Sequence, residues 1–254
     1  MSEQIKNLKC LNSFTLRILA MACMVCDHLW GTLLPKAIWL NTIGRLTFPI
    51  FAFLLVEGFY RTHNRKQYFK RLLIFALISE IPFNLEAEGG LFFPFHQNTL
   101  FTLCLAFLLM SWIERARQRG RVRFIAVSAA AVVLGFLLGF VTFVDYYGYG
   151  IWMVLLFYFC RGLKYGWVGE LAGMVYINWE MIGGLVFPVT LLGREVDIPQ
   201  QGFAILALIP IWLYSGKRGP HSKALQYACY IFYPVHLTVL YLLLLLVRRS
   251  LYGI

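Results

Sequence analysis

Charge is what this sequence has least of. Twelve Asp and Glu and 23 Lys and Arg occur in 254 residues, so 14% of positions are charged against 60% hydrophobic. Soluble domains devote roughly a quarter of their residues to charge, and that class is excluded. Also absent are a phosphate-binding glycine loop, a zinc signature and a nucleophile elbow, so nucleotide-loop, zinc and serine-hydrolase chemistry have no support in the residues. No low-complexity tract, strong repeat or linker divides the chain, and residues 1–254 are expected to form a single integral membrane domain. The six cysteines, Cys10, Cys23, Cys26, Cys104, Cys160 and Cys229, are scattered and describe no disulfide framework. Cys23 and Cys26 have ligand spacing without a second pair, and Asp27 interrupts a haem-attachment pattern. They read as small packing residues, and no metal is expected.

Long apolar runs are abundant. With a mean hydropathy of +0.69 and 17% aromatic residues, the chain reads as an all-α, polytopic transmembrane helix bundle. The runs are Ser13–Leu34, Leu46–Tyr60, Leu72–Leu85, Thr99–Ile113, Phe124–Val144, Tyr149–Phe159, Trp167–Leu192, Phe203–Tyr214 and Leu225–Val247. Trp167–Leu192 holds Glu170, Asn178, Glu180 and Gly183-Gly184, which allow one broken helix or two short ones. The count is therefore nine or ten spans. Ala20-Met21-Ala22 imitates a signal-peptide cleavage site after Lys6, Lys9 and Arg17, but the apolar stretch before it is too short, so the first run is expected to remain as a span.

A net charge of +11 suggests nucleic acid, yet the basic residues cluster between apolar runs, as the positive-inside rule requires. No nucleic-acid partner is expected. Residues 61–71 and 114–123 each hold five Lys or Arg and are separated by two spans, which puts both loops and the N-terminus on the cytoplasmic side. Membrane lipids are the surrounding partner.

The candidate chemistry is concentrated early. Arg17, Asp27 and His28 lie in the first run, Arg45 and Glu57 around the second, and Arg71 and Glu80 on the third. An ionisable residue at bilayer depth costs at least ~2.5 kcal/mol, so such a group needs a matched interior. The step from Arg17 to His28 turns through about 1100°, leaving the two within ~20° of one face and ~16 Å apart along the axis. Asp27 lies about 100° round from His28 and is better placed to face a neighbouring helix. His28 is the general-base candidate, because imidazole alone titrates near neutral pH without perturbation, and Asp27 or Glu57 can orient its ring. A purely structural ion network is the competing account of the same residues. Tyr233-Pro234-Val235-His236 places a proline inside the last span, with His236 as a substrate contact or a core histidine. Asp145–Gly150 reads as an interfacial turn.

Several ordered polar motifs carry a family resemblance. Gly44–Leu85 (GRLTFPIFAFLLVEGFYRTHNRKQYFKRLLIFALISEIPFNL), Gln97–Leu103 (QNTLFTL), YSGKRG and FYPVHL resemble the TraX family across nearly the whole chain. That resemblance implies an enzyme of the bacterial inner membrane that acetylates the N-terminus of a pilin subunit. The Arg17-to-His28 spacing and FAFLLVEGF (Phe51–Phe59) are also similar to the membrane acyltransferase-3 family, with Glu57 standing where that family has serine. This second resemblance implies an acyltransferase-3-like bundle and acetyl-CoA, or another acyl-CoA, as donor entering from the cytoplasm. Under it, Arg17, Arg45, Arg65, Lys66 and Arg71 would hold the donor's phosphates, His28 would take the acceptor's proton, and Arg45 or Asn98 would steady the oxyanion. The acceptor is an amine or hydroxyl. Two other functions fit the composition: a proton-coupled transporter using Asp27, His28 and Glu57, and a non-catalytic assembly subunit.

Overall fold

The computed structural model describes residues 9–191 and 194–252, so Lys6 and Leu192 lie outside the described residues. Among the described residues ten α-helices follow one another: α1 Ser13–Thr32, α2 Ile38–Gly44, α3 Thr47–Arg61, α4 Arg65–Glu88, α5 Thr99–Arg117, α6 Arg121–Val141, α7 Tyr147–Cys160, α8 Gly166–Val175, α9 Leu208–Trp212 and α10 Lys223–Tyr252. A π-helical turn, Tyr176–Met181, continues α8, and a 3₁₀ segment, Gln200–Ala207, leads into α9. The architecture is thus predominantly helical, as expected.

Polar caps punctuate the apolar runs. The side chains of Asn12, Asn64 and Asn98 accept from Thr15 N, Gln67 N and Leu100 N at the starts of α1, α4 and α5. Each satisfies an amide that the first turn leaves without a helical partner.

Among the described residues, five helical stretches are long and apolar enough to cross a membrane: Ser13–Thr32, Ile38–Arg61, Thr99–Arg117, Arg121–Val141 and Lys223–Ser250. They are compatible with a multi-pass membrane protein. The other expected spans fall short for visible reasons. α7 has 14 residues, about 21 Å at the helical rise, against a hydrocarbon core of about 30 Å. α4 has 24 residues but begins RKQYFKR and ends SEIPFNLEAE, leaving a short apolar centre.

Trp167–Leu192 differs from its expectation. It is helical only to Met181, and Val186–Leu191 is a strand, β1, paired antiparallel with β2, Arg194–Pro199, in the register Val189 opposite Val196. Gly183 and Gly184 have φ of 65° and 103°, a conformation other residues resist, and they end the helix where alternating Val, Phe, Val and Thr favour extended chain.

The chain divides into two compact units. One is Met1–Leu54 with Cys160–Gln226, and the other Leu55–Phe159 with Tyr227–Ile254. The first packs around Leu16, Ala20, Phe48, Ile50, Ala204 and Leu208, all fully or almost fully buried. The second packs around Phe59, Phe107, Met110, Ile113 and Phe157, where Phe59 and Phe107 meet edge to face at 5.1 Å.

Candidate functional site

In the first unit a polar chain runs through the apolar core. Asp27 Oδ1 accepts from Arg45 Nη2 at 2.6 Å and from Asn41 Nδ2 at 2.5 Å. Arg45 Nε donates to the Asn41 carbonyl and Nη1 to Gln201 Oε1, both at 3.3 Å. Gln201 Nε2 donates to Asn178 Oδ1 at 2.9 Å, and Asn178 Nδ2 donates to the Met174 carbonyl at the same distance. Asn41, Asn178 and Gln201 are buried, and each finds partners here, as a low-dielectric interior demands.

Local structure places each member. The turn that joins α2 to α3 carries Arg45, and the widened π turn carries Asn178 toward Gln201 on the 3₁₀ segment. α1 and α2 approach closely because Gly44 has no side chain: a Cβ there would overlap the Asp27 carboxylate. Gly44→Ala should therefore push α2 off α1 and lower stability by about 1–3 kcal/mol, the usual cost of overpacking, read from unfolding in detergent against wild type. An unchanged midpoint would mean that the helices are not held at this distance.

Asp27 thus faces a neighbouring helix, as its angular offset requires. Its bonded Oδ1 and the Arg45 guanidinium are engaged with each other, and Arg45 keeps 21% exposure. His28 and Arg17 are both half-buried on α1, and the His28 carbonyl accepts from Thr32 Oγ1 at 2.6 Å. Arg17, Asp27, His28 and Arg45 belong to the first unit. Glu57, Arg65, Lys66, Arg71, Asn98 and His236 belong to the second.

In the second unit, Glu57 is buried and accepts from Arg61 Nε at 2.9 Å, one turn along α3. Arg65 donates to the Phe59 carbonyl at 3.2 Å and lies 3.9 Å over the Phe59 ring, so it closes the end of α3. Lys66 is exposed, and Arg71 lies 5.9 Å from the Tyr68 ring centre. Asn98 donates both amide hydrogens, to the Ala76 carbonyl at 2.9 Å and to Glu80 Oε2 at 2.6 Å. His236 is buried on α10 with Nδ1 donating to the Phe232 carbonyl at 2.9 Å.

Sequence reasoning missed a second constellation in this unit. His96 Nδ1 lies 3.5 Å from Glu88 Oε1, and its Nε2 lies 3.8 Å from Asp145 Oδ1. Asp145 Oδ2 accepts from the Thr99 hydroxyl, and its carbonyl accepts from Thr102 Oγ1 at 2.6 Å. The available signal was isolation: Asp145 is the only acid between Arg123 and Glu170. The interaction with Asp145 raises the His96 pKa, burial opposes it, and the charges of Asp145 and Glu88 add to the rise.

A raised imidazole pKa in the folded state means that protonated His96 stabilises the fold. That contribution is full below the unfolded value of about 6.5 and is lost as pH rises through the higher folded value. His96→Gln should lower the melting temperature at about pH 6, with the gap to wild type closing toward about pH 9. A gap independent of pH would contradict this.

Among the described residues no group of three or more His, Cys, Asp or Glu is arranged to hold a metal ion. The sequence profile described as TraX protein matches residues 13–244. The probable fimbrial assembly protein FimC, serogroup H1, of Dichelobacter nodosus is 28% identical over 255 residues, which cover 90% of this chain and 94% of that protein. No solved structure matches.

Proposed function

This chain belongs to the TraX family, and from that membership we propose that it is an acyltransferase of the bacterial inner membrane, moving an acetyl group from acetyl-coenzyme A to an amine. The acceptor in this reading is the N-terminus of a pilin or fimbrial subunit. The sequence resemblance carries the pilin, and the printed name of the Dichelobacter relative carries fimbrial assembly. The N-terminus of the enzyme is cytoplasmic, so the donor arrives from the side that holds coenzyme A.

The observation that supports this best is the loading of one apolar helix. α1 brings Arg17, Asp27 and His28 into a single span, and Asp27 is fixed by Arg45 and Asn41. Fixing Asp27 fixes the rotation of α1 about its own axis. Arg17 and His28 then share one face, ~16 Å apart. A cation at one end suits the phosphates of the donor, and an imidazole at the other suits proton transfer.

The chemistry closes on these groups. His28 takes a proton from the acceptor as its nitrogen attacks the thioester carbonyl and the C–N bond forms. The tetrahedral intermediate then expels the coenzyme A thiolate as the C–S bond breaks. The imidazolium returns its proton to that thiolate, and His28 is regenerated.

Purified protein in detergent, incubated with isotopically labelled acetyl-coenzyme A and a pilin-derived peptide, should yield a peptide heavier by one labelled acetyl group. No membrane gradient should be required. Failure to label a free-amine peptide with active, folded protein would overturn the proposal.

A further inference from the structure

One end of the second unit is acidic. Residues 72–113, 124–160 and 224–247 contain no Lys or Arg, yet they hold Glu80, Glu86, Glu88 and Asp145, with His96 and His236 as their only imidazoles. The fold gathers the acids. His96 lies between Glu88 and Asp145, and Asp145 holds Thr99. Tyr233 of α10 is buried in the same unit. Glu80 Oε2 takes two bonds from Asn98, one from the backbone at 3.3 Å and one from the side chain at 2.6 Å.

Clustered acids alone do not make a site. The second observation is a pair of buried acceptor oxygens on α4 that meet no donor among the described residues. Asn84, one turn beyond Glu80 on α4, is 1% exposed, yet its Oδ1 meets no donor among the described residues. Glu80 Oε1 is in the same position. A buried acceptor without a donor keeps its desolvation penalty uncompensated, and here two such acceptors lie one turn apart on α4.

A ligand that relieves this must bring both hydrogens and positive charge. The described residues offer no metal-ligand set, and a protonated primary amine supplies three N–H donors with one unit of charge. We infer that the acidic end of the second unit binds the ammonium group of an amine-bearing ligand, with Glu80 and Asn84 accepting its hydrogens and Asp145 and Glu88 supplying the field. His96 is the internal competitor, since its imidazolium neutralises the two carboxylates it touches. Naming the ligand as the acceptor's N-terminus rests on the acyltransferase reading, whereas ammonium binding itself does not.

The test is a binding contrast made without any acyl donor. The probe is a short apolar peptide labelled at its C-terminus, prepared with a free N-terminus and, separately, with that terminus acetylated. Full-length protein in detergent at neutral pH should bind the free-amine form at least ~10-fold more tightly. Glu80→Gln and Asp145→Asn should each reduce that preference to ~2-fold or less. His96→Gln should tighten free-amine binding by ~3-fold, a gain that a folding defect cannot imitate.

Equal binding of both peptides by wild type would overturn the inference, as would an undiminished preference in Glu80→Gln. If labelled acetyl reaches no acceptor while the binding contrast persists, it is the acyltransferase reading that fails.

Discussion

His28→Ala is expected to lower acetyl transfer by about 10²–10⁴-fold, the range a positioned general base contributes. The loss should fall on kcat, because the ring acts on the proton that leaves in the transition state while the donor's phosphates are held elsewhere. The affinity for acetyl-coenzyme A, measured by calorimetry, should change little. Arg17→Ala should show the opposite split, with KM for the donor rising and kcat less affected. His28 is half-buried on α1, and the unfolding midpoint of the variant, measured beside its activity, separates lost chemistry from lost fold. A His28→Ala enzyme that transfers acetyl at the wild-type rate would remove the histidine from the mechanism.

Asp27→Ala is expected to cost stability as well as activity. The variant leaves the Arg45 guanidinium without its carboxylate and Asn41 without an acceptor. Breaking a fully buried pair costs about 3–5 kcal/mol; here the partners keep 21% and 27% exposure, which reduces the figure to about 2–3 kcal/mol. The double variant Asp27→Ala, Arg45→Met removes the stranded charge and should recover about 1–2 kcal/mol of that loss. Strict additivity of the two single changes in a denaturation cycle would show that the pair is not coupled. Activity should fall in Asp27→Ala because the rotation of α1 is no longer fixed. It should return in part only where another contact restores that rotation.

The helical character and the main apolar runs were legible because apolar length is a one-dimensional property. The position of Asp27 was also legible, since an angle of about 100° per residue decides which way a side chain leaves its helix. Its partner was not. Arg45 and Asp27 are 18 residues apart and joined by a turn, and no pattern in the sequence distinguishes a guanidinium held internally from one that meets a phosphate. Asn178 and Gln201 were illegible for a related reason: the π turn that aims Asn178 adds a register shift that a regular 3.6-residue repeat does not foresee. Val186–Leu191 reads as helix from hydropathy, which is blind to period in a short run, and the paired glycines before it are the stronger signal. His96 and Asp145 meet through chain closure across nearly 50 residues, which composition reports only as an absence of nearby cations.

The β1–β2 hairpin fixes a waterline. Two strands pair along one edge each, and their outer edges present amides and carbonyls that lipid tails cannot satisfy. Glu195 and Asp197 are exposed on it. The ribbon therefore belongs at headgroup level or in water, and it marks how deep the neighbouring π turn and Asn178 can be drawn into the bilayer.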